Sequence, residues 1–308
     1  MILRRYAGIS LVVAALVICL KIAAYLLTNS VSLLSDALES VVNILGATAT
    51  MWALAVSQQP PDDDHAHGHD KAEYFSSGFE GALVLVAAVA IIATSIYRFV
   101  YPHDIEATPI GIGLALGTSV INFILARWLL RAAKQHDSMA LEADARHLMS
   151  DVITSIAVSF GVLLGAITTI QWFDPLFALL VGFNILRTGW DLLKRSADGL
   201  LDASLLPHDH NRVLAIIGRF RSDVIDFHAI RTRRSGSRKF VTFHVLVPGE
   251  WSVQRGHDLL EALEIELTQA IPNIHVTTHL EPSDDPSSFH DIDLHRPITQ
   301  PHNLSAQH

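Results

Sequence analysis

The hydrophobic pattern divides the chain near residue 200. Before that point, six apolar stretches meet or approach the roughly 20 residues that a helix needs to cross a bilayer core. They cover 6–27, 33–56, 81–100, 110–130, 147–170 and 173–193, and they predict six transmembrane helices. The link between the first two (28–32) is so short that they form an antiparallel hairpin. Past residue 200 the period changes. The segment 207–220 places Val213, Leu214, Ile216, Ile217 and Phe220 on a helical repeat. The segments 224–233 and 239–247 read as strands around the turn 234–238, 253–270 as an amphipathic helix, and 274–280 as a third strand. The order α-β-β-α-β predicts a small α+β domain, ferredoxin-like, with its helices on one sheet face. A polar, proline-containing tail closes the chain and reads as disordered. The expected domains are therefore 1–200, 201–285 and 286–308.

Composition agrees with this division. Half of the residues are hydrophobic and 17% are charged, against about 25% in an ordinary soluble chain. That excludes a simple soluble enzyme, a disordered chain and a coiled coil. Lysine and arginine set an orientation. With the N-terminus inside, Arg4, Arg5, Lys71, Arg131, Lys134, Lys194 and Arg195 all fall on the inner side. Both termini and the 58–73 loop are then cytoplasmic, and the chain sits in the cell's inner (plasma) membrane. A net charge of -9 argues against nucleic acid as a partner. One cysteine excludes a disulfide framework and a cysteine zinc cluster. The 17 histidines, against 22 lysines and arginines, are the anomaly. With one thiol, imidazole and carboxylate are the vocabulary left for transition metals.

Ionisable residues within apolar helices are costly and point to function. The second stretch carries Asp36, Glu39 and Asn43; the fifth opens with Asp144, His147 and Asp151. Asp36 and Asp144 read equally well as helix-end residues touching headgroup water. Glu39 and Asn43 are four apart, as are His147 and Asp151, so each pair shares a helix face. Packed together, the two helices offer four ligands to a tetrahedral divalent cation.

The run Ser32-Leu-Leu-Ser-Asp-Ala-Leu-Glu-Ser-Val-Val-Asn43 and the motif His147-Leu-Met-Ser-Asp151 resemble the signatures of the cation diffusion facilitator family. The resemblance extends over about 6–285. It implies a homodimeric divalent metal/proton antiporter working by alternating access, with Glu39, Asn43, His147 and Asp151 as the transport site. The family mostly places Asp or His, then Asp, where Glu39 and Asn43 stand. Asn cannot release a proton, so proton stoichiometry and metal choice depart from the common pattern. An oxygen-rich site leans towards Fe²⁺, Mn²⁺ or Co²⁺ beside Zn²⁺. The resemblance also implies a loop metal site on Asp62, His65 and His69, and a two-metal site in the soluble domain on His228, His244, His257, His279 and Glu281. Metal there would bridge two soluble domains.

A second class of reading is a membrane-embedded metal sensor or transceptor without significant flux. An intramembrane metalloenzyme is disfavoured because no HExxH or repeated histidine box occurs. The chain is expected to be a secondary transporter of metal ions and protons, not an enzyme.

Overall fold

The computed structural model describes residues 2–28, 31–101, 109–168 and 172–290, with the side chains of 2, 24–39, 42, 109–112, 115, 158–159, 161–168 and 173–174 outside that description. The chain divides into two units at Leu201/Asp202.

The first unit is helical. It consists of α1 (Ile2–Thr28), α2 (Val31–Ser57), α3 (Ala72–Val100), α4 (Pro109–His136), α5 (Met139–Thr168) and α6 (Phe173–Leu200). Among the described residues, Leu3–Ala23, Ala72–Val100 and Pro175–Leu200 are long and apolar enough to cross a membrane, and Asn43–Ser57 is a shorter apolar helix. Four helices outrun the apolar stretches that announced them. α3 starts nine residues before Gly81 and α5 eight before His147, while α4 and α6 end well past residues 130 and 193. All four extensions lie at the end carrying the 58–71 loop, called here the loop end. Polar side chains pair between helices there. Arg195 of α6 donates to both oxygens of Glu142 on α5, at 2.7 and 2.8 Å. Glu73 of α3 accepts from the Ser138 hydroxyl at 2.6 Å and the Ala140 amide at 3.2 Å, which serves the otherwise unsatisfied N–H groups at the start of α5.

Packing within this unit follows side-chain size. Ala7, Leu54, Leu129, Leu141 and Leu148 form a buried cluster joining α1, α2, α4 and α5. Val84 and Ala88 of α3 pack on Ile185 of α6. The α3–α6 crossing is close because glycines face each other. A Cβ on Gly81 would lie 3.0 Å from the Leu193 nitrogen, and one on Gly189 3.1 Å from the Gly81 oxygen.

The second unit contains α7 (Pro207–Phe220), β1 (Asp226–Ser235), β2 (Arg238–Val247), α8 (Val253–Ala270) and β3 (Ile274–Pro282). The sheet order is β1-β2-β3, antiparallel between β1 and β2 and parallel between β2 and β3. Pro207 opens α7, where its missing N–H needs no partner. Ser252 caps α8 by accepting from the Arg255 amide. Gly236, at φ 57°, turns the hairpin. Val213, Ile216, Ile217, Leu263 and Leu267 of the helices pack on Val241, Phe243, Val245 and Val247 of β2. Leu214, read as part of the apolar stripe, is instead exposed. Among the described residues, one sheet face is thus covered by helices and the other is left without them. Regular structure also passes the expected 285/286 boundary. Pro286–Phe289 forms a 3-10 turn, Ser288 is buried and its hydroxyl donates to the Pro282 carbonyl. Residues 291–308, with the tail histidines His295, His302 and His308, lie outside the described residues.

Candidate metal centres

α2 and α5 bring three of the four intramembrane candidates together. Asn43 donates from Nδ2 to Asp151 Oδ2 at 2.6 Å, and its Oδ1 lies 2.8 Å from His147 Nε2. The carboxylate can only accept, which fixes the amide orientation, and Asn43 Oδ1 then requires the proton of His147 to sit on Nε2. Asn43 thereby stitches His147 to Asp151. A cation bound by the Asp151 oxygen and His147 Nε2 would have to break both bonds. Glu39 is carried by α2 one turn before Asn43, and its side chain lies outside the described residues. Asp36 lies outside them likewise. Beside the trio is a polar cavity of about 40 Å³, lined by Ser40 and Asn43 of α2, Thr118 and Asn122 of α4, Asp151 and Thr154 of α5 and Lys21 of α1.

Asp144 is not a headgroup residue. It is buried on α5, and so is Glu80 on α3, a residue that the apolar pattern left at the edge of a stretch. The buried face of α3 runs Glu73, Ser76, Ser77, Glu80, Gly81, Val84 and Ala88. That is helical spacing with polar side chains on the packed side. A search for polar residues at i, i+3, i+4 and i+7 preceding the apolar run would have found Glu80.

The loop forms a preassembled cluster. Asp62 Oδ1 accepts from the His65 amide at 2.7 Å and lies 3.1 Å from His65 Nδ1. His69 Nε2 is 3.3 Å from Asp62 Oδ2. Gly68, at φ 84°, makes the turn that returns His69 to Asp62. The ligand atoms of Asp62, His65 and His69 all lie within 4.8 Å of one another. Desolvation raises the Asp62 carboxyl, but the His65 amide and imidazole, with His69 nearby, hold it below the usual carboxylate range.

In the second unit, strand pairing builds the centre. His228 of β1 pairs with His244 of β2, and His244 with His279 of β3. The three imidazoles therefore form one row across the sheet, on the face without helices. Glu281 follows two residues after His279 on the same face. Its Oε2 lies 2.8 Å from His228 Nε2 and 3.2 Å from His244 Nδ1, and its Oε1 lies 3.4 Å from His279 Nδ1. His228, His244 and Glu281 meet the 4.8 Å criterion, His279 is the exposed end of the row, and Phe289 packs edge-on against His228 at 5.9 Å. A bulge follows His228, with Ala229 at φ 50°. Such a bulge re-aims its neighbours, at a cost of about 1 kcal/mol for a non-glycine residue in this region. His257 does not join the row. It is exposed on α8, which packs on the opposite face: a Cβ on adjacent Gly256 would strike Leu280, part of the helix-covered core.

Comparison with known proteins follows this geometry. Residues 8–201 match the model of the cation efflux transmembrane domain, and residues 205–283 that of the cation efflux protein cytoplasmic domain. The chain belongs to the cation efflux family. It is 46% identical over 286 residues to the uncharacterized transporter sll1263 of Synechocystis sp., covering 93% of this chain and 92% of that protein. It is 29% identical over 277 residues to the cation-efflux pump FieF of Yersinia pestis, covering 87% and 89%. It also resembles the metal-bound C-terminal domain of the CzcD transporter from Thermotoga maritima, at 29% identity and a TM-score of 0.24, over 26% of this chain and 92% of that one. This cation efflux protein is thus a membrane-embedded transporter rather than an enzyme, with several apolar helices followed by a cytoplasmic domain built on a small sheet.

Proposed function

We propose that this cation efflux protein exports divalent transition-metal ions, Zn²⁺ or Fe²⁺ first and Mn²⁺ or Co²⁺ as further cargo, in exchange for protons by alternating access. It does so as a homodimer with six spans in the inner membrane, both termini in the cytoplasm. The transport site is Glu39, Asn43, His147 and Asp151. The observation that carries this reading is the convergence of Asn43, His147 and Asp151 from two helices of the apolar unit. Imidazole and carboxylate must be deprotonated to hold the cation, so protons on the far side displace it. The loop cluster gathers cations at the inner mouth, helped by the acids of 62–64. The row on the soluble domain binds metal and biases the dimer towards one arrangement.

Asp151→Ala in metal-loaded vesicles is the direct test. The expected result is loss of cation flux with the protein still folded; unchanged flux would remove Asp151 from the site. If the wild type binds metal without moving it, the sensor reading stands instead.

A further inference from the structure

Two buried carboxylates lie between the loop end and the transport site. Glu80 is 0% exposed and Asp144 is 3% exposed. Glu80 packs against Gly46 of α2, three residues past Asn43 on the loop side, with its Cγ 3.6 Å from where a Cβ would stand. Asp144 precedes His147 by three residues on α5. Both acids therefore sit about one helical turn inward of the Asn43–His147 contact. Each has a single hydroxyl attached: Thr50 of α2 donates to Glu80 Oε1, and Ser10 of α1 bonds to Asp144. Among the described residues, Glu80 Oε2, Asp144 Oδ2 and His147 Nδ1 have no hydrogen-bond partner. Among the described residues, the charged groups that act on them are Asp144 for Glu80, and His147 and Asp151 for Asp144, with no lysine or arginine in either set.

Two carboxylates within electrostatic reach of each other in a dry interior repel, and burial strips both of solvating water. Such a pair is stable when it retains a proton. We propose that Glu80 and Asp144 form a second proton-carrying site of this transporter, in addition to its metal ligands, an inference that rests on the transport reading above. It supplies what Asn43 lacks, an ionisable group able to exchange a proton. When a cation binds one turn away, its positive field favours the doubly ionised pair. The carboxyl O–H bond breaks and the proton leaves to water on the loop side. When the cation departs, the pair takes a proton from the opposite side and the cycle closes.

The test uses the full-length protein with Glu80→Gln and Asp144→Asn, amides that keep the contacts to Thr50 and Ser10. In detergent, Zn²⁺ titration should give an unchanged number of bound cations, while protons released per cation fall by about one. In vesicles, stimulation of Zn²⁺ flux by an imposed pH gradient should weaken and downhill flux should persist. Infrared difference spectra on adding Zn²⁺ should show a carboxylic-acid C=O band in the wild type that disappears in each variant, a readout independent of turnover. Wild-type proton release and gradient stimulation in both variants would overturn the proposal. Loss of a bound cation would also overturn it, because the pair would then be a metal site. Asp151→Ala separates the two readings. If that variant keeps its flux, the transport site is wrong; if it loses flux while Glu80→Gln releases protons normally, only the proton pair is wrong.

Discussion

Asn43 accepts from His147 and donates to Asp151 at the same time, which an ionised carboxylate cannot do. Replacing it with Asp removes the donor, sets two acids side by side and adds a charged ligand. Asn43→Asp should tighten Zn²⁺ binding by about tenfold, or about 1.4 kcal/mol, and release more protons per cation, both readable by calorimetry in buffers of different ionisation enthalpy. In the soluble domain, Glu281 touches all three imidazoles of the row. Glu281→Gln should weaken metal binding there by tenfold or more, on the scale seen when metal-site carboxylates are lost. Side chains like these were legible because an imidazole or acid in an apolar helix stands out. Glu80 was not, since it abuts Gly81 at the edge of an apolar run and looks like the residue before a span. Asp144 gave an ambiguous signal for the same reason, and only its neighbours Ser10 and Glu80 show that it is interior. The row His228–His244–His279 depends on strand register, which spacing along one chain does not contain.

The elements of the soluble unit followed closely from periodicity, because apolar side chains recur on one face of an element, as Val241, Phe243, Val245 and Val247 do along β2 and Val213, Ile216 and Ile217 along α7. Helix ends in the first unit did not follow, because α3 to α6 continue past their apolar stretches on polar pairs such as Glu142–Arg195. The α3–α6 crossing makes a firm demand on side-chain size. Gly81→Val would push a branched side chain against the backbone of α6, and overpacking of this kind costs about 1–3 kcal/mol. The expected outcome is a lowered Tm in detergent, with metal stoichiometry retained in the folded fraction. The loop responds to acid in a defined direction. Since the Asp62 carboxyl is held below its usual range, its hold on His65 is fully present above that range and is lost as the pH falls through the lowered value. Hydrogen-exchange protection of the His65 amide in the metal-free protein should therefore survive below the pH at which a free aspartate protonates and disappear only as the pH falls further.

On the scale of the whole molecule, the proposed cation sites lie in three places: the α2–α5 pair, the 62–69 loop and the sheet face. They share no residue, so their losses should add. Calorimetry of the full chain should lose one class of site with Asp151→Ala, another with Asp62→Asn and a third with Glu281→Gln, and the triple variant should bind no Zn²⁺ tightly. A variant whose loss spreads to a second class would mean that two of these places are coupled. The histidine row has one more consequence. Its three imidazoles come from three strands and align only when β1, the bulge at Ala229, β2 and β3 are all in their native pairing. A slip of one residue in any strand turns its histidine to the helix-covered face. Metal binding by the proposed row would therefore act as a proofreading signal: it would reward the one correct registration of the sheet and withhold that gain from every misaligned one.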